Sequence, residues 1–265
     1  PGLSRGMVDD PGKIKQTQLR TFPGSEVKQA FFTRHGGVSP APWASLNQGG
    51  LSGDARANVV ENRRRIFEHF GRPVESIFDV WQVHSGRVVC SDSPRPLQEP
   101  HQKADAILTD RSDVTLMMRF ADCVPILFYD PIRRVVGIAH AGWQGTLVKI
   151  AGEVVMRMQQ TYHCQPGQIM AGIGPSIGPE CYEIGADVLE KVAVTFEGRL
   201  DEVIFHKGGK NFFNLWQANR LILQDAGVVN IEMMEICTAC HTEDWYSHRA
   251  EHGSTGRFGA LIALV

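Results

Sequence analysis

Residues 114–140, VTLMMRFADCVPILFYDPIRRVVGIAH, contain three apolar runs in close succession. The runs at 114–120, 124–129 and 134–139 each have the length of a strand and are rich in branched and aromatic side chains. Such runs, bounded by turn residues, predict buried strands. Asp130-Pro131 is a turn signal between the last two runs. This stretch therefore predicts three buried strands.

Helices are predicted on both sides of this stretch. Asp54 is a candidate N-cap for a helix that runs to Phe70 and is closed by Gly71. Helical spacing of apolar residues predicts a long helix over 145–162. The remaining predictions are helices at 185–196 and 214–225 and strands at 77–83, 87–90, 168–173, 228–236 and 258–265. No linker of different composition divides the chain, so we predict a single α/β (α+β) domain with a mixed sheet.

The composition is typical of a soluble globular protein, with 43% hydrophobic residues, 21% charged residues and a net charge of -2. A chain this close to neutrality lacks the basic surface expected for nucleic-acid or anionic-membrane binding. Its apolar runs are far shorter than the ~20 residues of a spanning helix. The N-terminal residues lack the apolar core of a secretory signal. One interpretation of residues 1–6 is a processing remnant, with Met7 as the natural start.

Six scattered cysteines do not form a disulfide framework, and we predict a cytoplasmic, reduced protein. Cys237 and Cys240, followed by His241, match the spacing of covalent haem attachment, but that requires export. A redox pair is expected at a strand-to-helix junction, and a zinc ribbon needs a second C-x-x-C motif. The favoured interpretation is a pair of buried structural thiols.

Three segments place a His or Cys at the end of a predicted strand, where the chain turns. These residues are His84, Cys123 and His140. Strand ends of one sheet can converge, and two imidazoles with one thiolate leave a fourth metal position open, as in catalytic zinc sites. Two alternatives remain open. Each residue is an ordinary buried side chain, or Cys123 is a nucleophile with a His as its base.

The chain strongly resembles the laccase-domain family, whose members are called YfiH-like or polyphenol-oxidase-like proteins. The resemblance covers about residues 30–265, which predicts a catalytic domain there and an N-terminal extension with the first strand at residues 1–29. It rests on ordered motifs at 32–39 (FTRHGGVS), 46–47 (LN), 82–85 (QVHS), 104–106 (ADA), 121–125 (ADCVP), 140–143 (HAGW), 174–183 (GPSIGPECYE) and 255–257 (TGR).

The resemblance implies a fold related to the catalytic domain of cytotoxic necrotising factor toxins. It implies a metal site, normally zinc, at His84, Cys123 and His140. The implied activity is phosphorolysis of adenosine, inosine and 5′-methylthioadenosine, together with deamination of adenosine. The expected partners are therefore a small nucleoside and phosphate. Family members were also described as copper-dependent polyphenol oxidases, and bacterial members are linked to peptidoglycan-precursor editing.

The residues themselves help to weigh these activities. Ten histidines without a single His-x-His pair do not indicate a four-copper centre, although copper could occupy a Cys/His₂ site in place of zinc. Asp122, next to Cys123, is the candidate proton shuttle for deamination. Arg34 and Arg249 are candidate phosphate ligands, with solvated surface charges as the alternative. Asn47 and Gln82 are candidates for ribose or base contacts, with a structural turn role as the alternative.

Overall fold

The computed structural model describes residues 12–265, which form fourteen strands and six α-helices in that range. No helix among these residues has the length and apolar character needed to cross a membrane. The helices are α1 (Arg56–Phe70), α2 (Trp143–Leu147), α3 (Ile150–Tyr162), α4 (Ala186–Thr195), α5 (Leu200–Val203) and α6 (Leu215–Asp225). The strands are β1 (Gln16–Thr17), β2 (Val27–Phe32), β3 (Ile77–Asp79), β4 (Val88–Cys90), β5 (Ala106–Thr109), β6 (Thr115–Phe120), β7 (Val124–Asp130), β8 (Val135–Ala141), β9 (Met170–Ile173), β10 (Glu183–Ile184), β11 (Ile204–Lys207), β12 (Lys210–Phe213), β13 (Asn230–Met233) and β14 (Phe258–Leu264).

Two mixed sheets make up most of the fold. One has the strand order β13-β9-β7-β8-β5-β4 and the other has the order β1-β2-β14-β6-β3. A small third sheet has the order β10-β12-β11. The three strands predicted within residues 114–140 are confirmed as β6, β7 and β8. They are divided between the two large sheets, so the chain passes from one sheet to the other between Phe120 and Val124.

The two large sheets pack face to face and are covered by helices on their outer sides. Apolar residues of both sheets form the layer between them, including Leu127 and Ile138 from one sheet and Leu116 and Ile262 from the other. α3 and α6 pack on the outer face of the six-stranded sheet. α1 packs on the outer face of the five-stranded sheet. Strands buried on both faces explain why the sequence runs are continuously apolar rather than alternating.

Two predicted helices differ from the structure. α1 begins after Ala55, and Asp54 does not cap it. The Asp54 carboxylate instead accepts hydrogen bonds from the side chains of Ser39, Asn47 and Asn58. The helix predicted over 145–162 is two helices, α2 and α3, separated by Lys149 at φ 56°. Apolar residues on both sides of the break pack into the same core, so helical spacing alone did not reveal it.

The predicted end of α1 at Gly71 is confirmed, whereas several predicted strand lengths are not. Gly71 closes α1 in the left-handed conformation, and the Asn214 side chain caps α6. The strand predicted over 77–83 ends at Asp79, and the one over 228–236 is only β13. β5, β11 and β12 were not predicted. β2 crosses the boundary predicted between residues 29 and 30, and the interpretation of residues 1–6 lies outside the described residues.

Candidate metal centre

His84, Cys123 and His140 converge on one point, with their ligand atoms all within 4.8 Å of one another. Cys123 Sγ lies 3.9 Å from His84 Nε2, and the two imidazole centroids are 4.8 Å apart. His140 is in β8 and Cys123 immediately precedes its partner strand β7, while His84 lies in the loop after β3. His140 is buried, Cys123 is half-buried and His84 is exposed. The cluster therefore opens to solvent on the His84 side.

The cluster requires close packing at Gly142. A Cβ at this position would lie 2.8 Å from Cys123 Sγ and 3.1 Å from the His84 ring. Two residues of the site also have left-handed backbones, His84 at φ 59° and Asp122 at φ 81°. Non-glycine residues rarely adopt this conformation, and such residues concentrate at functional sites. The local backbone therefore serves to place these side chains.

Asp105 organises the cluster, and the sequence analysis assigned it no role. Its buried carboxylate accepts hydrogen bonds from the backbone N–H groups of Val83, His84 and Ser85, and from the Ser85 hydroxyl. It also lies 2.9 Å from His140 Nδ1. Burial alone would raise the pKa of Asp105, but the hydrogen bonds from His140 and Ser85 lower it to about 2. The available sequence signal was an acidic residue between two alanines, in the ADA motif at 104–106.

The hydrogen bond to Asp105 fixes the tautomer of His140. Because an ionised carboxylate only accepts hydrogen bonds, Nδ1 carries the proton and Nε2 is the ligand atom. Burial works against charge on Cys123, yet the neighbouring His140 and His84 imidazoles lower the pKa of Cys123 to about 6. Burial likewise works against charge on His140, but Cys123 and Asp105 raise its pKa. The cluster thus favours a thiolate at neutral pH.

Asp122 connects the Cys123 loop to two distant segments. One carboxylate oxygen accepts a hydrogen bond from Thr238 Oγ1 at 2.7 Å, and the other accepts one from the Arg249 backbone N–H at 2.6 Å. Its carbonyl oxygen accepts a hydrogen bond from the Ile177 backbone. These bonds hold the loop that carries Cys123. Both carboxylate oxygens of Asp122 therefore have protein partners, and its role as a proton shuttle remains a prediction.

The four predicted substrate residues are engaged with the protein. Arg34 donates to the carbonyls of residues 44, 242 and 245 and to the Glu251 carboxylate. Asn47 is fully buried, and its side chain bonds residues 49, 52, 54 and 257. Gln82 exchanges hydrogen bonds with the Arg119 backbone. Arg249 is exposed, stacks over a tyrosine ring and donates to the Glu183 carbonyl. Their substrate roles remain predictions.

Arg257 is a half-buried cation beside the cluster that the sequence analysis quoted in a motif but gave no role. Burial lowers its pKa, while the charges of Cys123 and Asp122 raise it. Arg257 Nη1 donates to the carbonyls of Thr255 and Gly256, which hold the guanidinium. Within residues 12–265 no carboxylate lies within ion-pair distance of it. It is therefore a cation that is available to an anionic ligand.

The donor set fits a metal ion. With zinc–sulfur and zinc–nitrogen bonds of about 2.3 and 2.0–2.1 Å, tetrahedral ligands are separated by roughly 3.5 Å. The Cys123–His84 separation is close to that value. Three protein donors leave one position for water or substrate, as in catalytic zinc sites. Copper is also compatible with imidazole and thiolate ligands, so the donor set does not select the metal.

The fold and the cluster together define a class of protein: a mixed α/β domain with a candidate Cys/His₂ centre where the chain passes between two sheets. A family model described as multi-copper polyphenol oxidoreductase laccase matches residues 28–265. The chain belongs to this family of laccase-like proteins.

Curated relatives and solved structures of the family cover nearly the whole chain. The purine nucleoside phosphorylase YlmD of Geobacillus stearothermophilus is 40% identical, with 87% of each chain covered. YlmD of Bacillus subtilis, also named a purine nucleoside phosphorylase, is 37% identical over 97% of this chain and 94% of its own. The crystal structure of the hypothetical protein YfiH from Bacillus licheniformis superimposes with a TM-score of 0.86 at 34% identity, covering 90% of this chain and 93% of its own.

Proposed function

We propose that this chain is a purine nucleoside phosphorylase that works with a metal ion, zinc in the first instance, held by His84, Cys123 and His140. The convergence of these three donors with one open position carries the proposal. The names of the YlmD relatives support the reaction class. The proposed substrates are adenosine, inosine and 5′-methylthioadenosine, with adenosine deamination as a second activity.

Phosphorolysis breaks the glycosidic bond between C1′ of ribose and N9 of the purine. The bonding electron pair leaves with the purine, a phosphate oxygen forms the new bond to C1′, and the phosphate proton ends on the base. A bound metal ion would act as a Lewis acid toward a substrate oxygen or water. The protein must therefore bind a phosphate anion, orient the nucleoside and stabilise charge at the site.

The chain's own residues can meet these needs. Asp105 holds His140 and the His84 backbone in a fixed geometry. We assign phosphate binding to Arg257, whose Nε and Nη2 groups have no hydrogen-bond acceptor among the described residues. Arginine suits phosphate because its planar donors pair with two oxygens at once. We assign Asp122 a positioning role, since its carboxylate oxygens hold Thr238 and the Arg249 backbone.

The test of the proposed function is product chromatography after incubation of the purified protein with adenosine, phosphate and stoichiometric zinc. Phosphorolysis gives adenine and ribose 1-phosphate, and both disappear when phosphate is omitted. Deamination gives inosine with or without phosphate. If adenosine remains unchanged under all these conditions, the proposed function is wrong, and phenol oxidation by the copper-loaded protein becomes the next activity to assay.

Replacing Arg257 with Gln is expected to raise the KM for phosphate about 10- to 100-fold. A hydrogen bond to a charged partner contributes about 1.5–3 kcal/mol, and 1.4 kcal/mol corresponds to a factor of ten. Initial rates at varied phosphate and saturating nucleoside provide the measurement. Arg220→Gln, which removes an exposed arginine of α6, is the matched control. An unchanged phosphate KM in Arg257→Gln would remove this residue from the phosphate site.

A further inference from the structure

A second cluster of metal-binding side chains lies outside the proposed active centre. The Sγ atoms of Cys181, Cys237 and Cys240 all lie within 4.8 Å of one another. Cys181 and Cys240 are 3.3 Å apart at sulfur. Cys237 and Cys240 were predicted to form a pair of buried structural thiols. The structure corrects this, because Cys240 is exposed, Cys237 is half-buried and a third cysteine joins them.

Two segments that are distant in sequence pack together and bring these cysteines to one point. Cys181 ends a short helical turn that begins at Pro179. Cys237 pairs with Ser176 in an isolated parallel bridge, supported by backbone hydrogen bonds from Ser176 to the Ile236 carbonyl and from Thr238 to the Ser176 carbonyl. The convergence is therefore built into backbone pairing and does not depend on flexible side chains.

The surroundings of Cys237 suit a metal-bound sulfur. The Gly178 backbone N–H donates a hydrogen bond to Cys237 Sγ at 3.1 Å, the kind of contact that stabilises metal-bound sulfur. The Sγ atoms of Cys181 and Cys240 are crowded together at 3.3 Å. A soft cation would offset this crowding of sulfur atoms, since metal binding displaces thiol protons.

The spacing matches sulfur ligands around a single ion. With zinc–sulfur bonds of about 2.3 Å, two thiolates of a tetrahedral site are about 3.8 Å apart. The observed separations, from 3.3 Å to within 4.8 Å, bracket this distance. Cys237 and Cys240 have the C-x-x-C spacing of zinc ligands, and Cys181 supplies the third thiolate that a second motif would otherwise provide. The exposed side of Cys240 leaves a further ligand to solvent.

We propose that Cys181, Cys237 and Cys240 form a second metal site, selective for a thiophilic d¹⁰ ion such as Zn²⁺ or Cu⁺. Three thiolates are soft ligands and disfavour hard cations such as Mg²⁺ or Ca²⁺. The site also has a structural link to the first. Thr238, between Cys237 and Cys240, donates to Asp122, which is next to Cys123. An ion here would fix the turn that holds the Cys123 loop.

Metal titration of the full-length protein tests this site independently of activity. The protein is stripped of metal, reduced without thiols and titrated anaerobically with Zn²⁺ or with Cu⁺ against a chromogenic chelator. We expect two tightly bound ions per chain in the unchanged protein and one in the Cys181→Ser/Cys240→Ser variant. Cys90→Ser/Cys164→Ser changes two cysteines outside both clusters and is the matched control, with two ions expected. The metal that binds more tightly in these titrations is the preferred ion.

Cobalt substitution provides a second readout that counts thiolates. Sulfur-to-cobalt charge-transfer absorption grows with the number of bound thiolates, and the two sites together offer four, one from Cys123 and three here. The Cys181→Ser/Cys240→Ser variant is therefore expected to lose about three quarters of this absorption. The proposal is overturned if the fully reduced protein and this variant bind the same number of ions per chain. A Cys181–Cys240 disulfide that resists reduction in the metal-free protein also overturns the proposal.

Discussion

Replacing Cys123 with Ala is expected to reduce kcat/KM for adenosine phosphorolysis by at least about 1000-fold. The Cys123 thiolate would be the one anionic donor of the three proposed ligands, and the neighbouring His140 and His84 imidazoles stabilise its charge. Its loss removes the ion from the first site, and a catalytic metal contributes several kcal/mol to transition-state stabilisation. A factor of 1000 corresponds to about 4 kcal/mol. Steady-state kinetics and metal analysis of the same sample provide the measurement.

The control for this variant is Cys90→Ala, which changes a cysteine of β4 outside both clusters. It should keep the activity and metal content of the unchanged protein. Unfolding midpoints of both variants show whether the loss is specific to the site. Full turnover in Cys123→Ala would overturn the proposed role of the cluster, whatever metal the protein contains.

Replacing Asp79 with Asn is expected to lower the free energy of unfolding by about 3–5 kcal/mol. The Asp79 carboxylate is completely buried and accepts hydrogen bonds from Arg95 at 2.7 and 2.9 Å and from Arg119 at 3.0 Å. His101 Nε2 is also 3.0 Å away, and Arg63 lies at 3.9 Å. Asn would leave three guanidinium groups without their shared anion. Denaturant unfolding at neutral pH measures the change.

The pH dependence of the stability that Asp79 contributes provides a control. Burial alone would raise the pKa of Asp79, but His101, Arg119 and Arg63 lower it well below its usual range. A carboxyl with a lowered pKa stabilises the fold above its unfolded pKa, near 4, and this stabilisation is lost as the pH falls further. The difference between Asp79→Asn and the unchanged protein should therefore be full at neutral pH and shrink in acid. Glu68→Gln, in an exposed ion pair with Arg64, should cost at most about 1 kcal/mol.

Local patterns predicted much of the fold. Continuous apolar runs identified β6, β7, β8 and β14, and Gly71 identified the end of α1. The errors have tertiary causes. Lys149 interrupts a stretch whose helical apolar spacing continues on both sides. The Asp54 carboxylate accepts hydrogen bonds from the Ser39 and Asn47 side chains, which come close to it only when the chain folds. The division of three neighbouring strands between two sheets likewise has no local signal.

The candidate metal ligands were more predictable than their surroundings. His84, Cys123 and His140 stand at turns beside strand ends, and the structure brings all three together. The amides of Asn47 and Gln82 bond backbone segments, and their substrate contacts remain predictions. Asp105 was missed because the residues that it holds, at 83–85 and 140, are far away in the chain. The Cys181 sulfur lies beside the Cys240 sulfur only because the backbone pairs at Ser176. No rule of sequence spacing predicts this pairing.

The position of β14 has a consequence for how the protein folds. β14 is the last strand in chain order, yet it lies between β2 and β6 and pairs with both. During synthesis, β2 and β6 therefore each have one unpaired edge until β14 has been made. Distant pairing of this kind slows folding and exposes strands that can associate with other chains. The five-stranded sheet can close only after β14 has been made, so its pairing comes late in the synthesis of the domain.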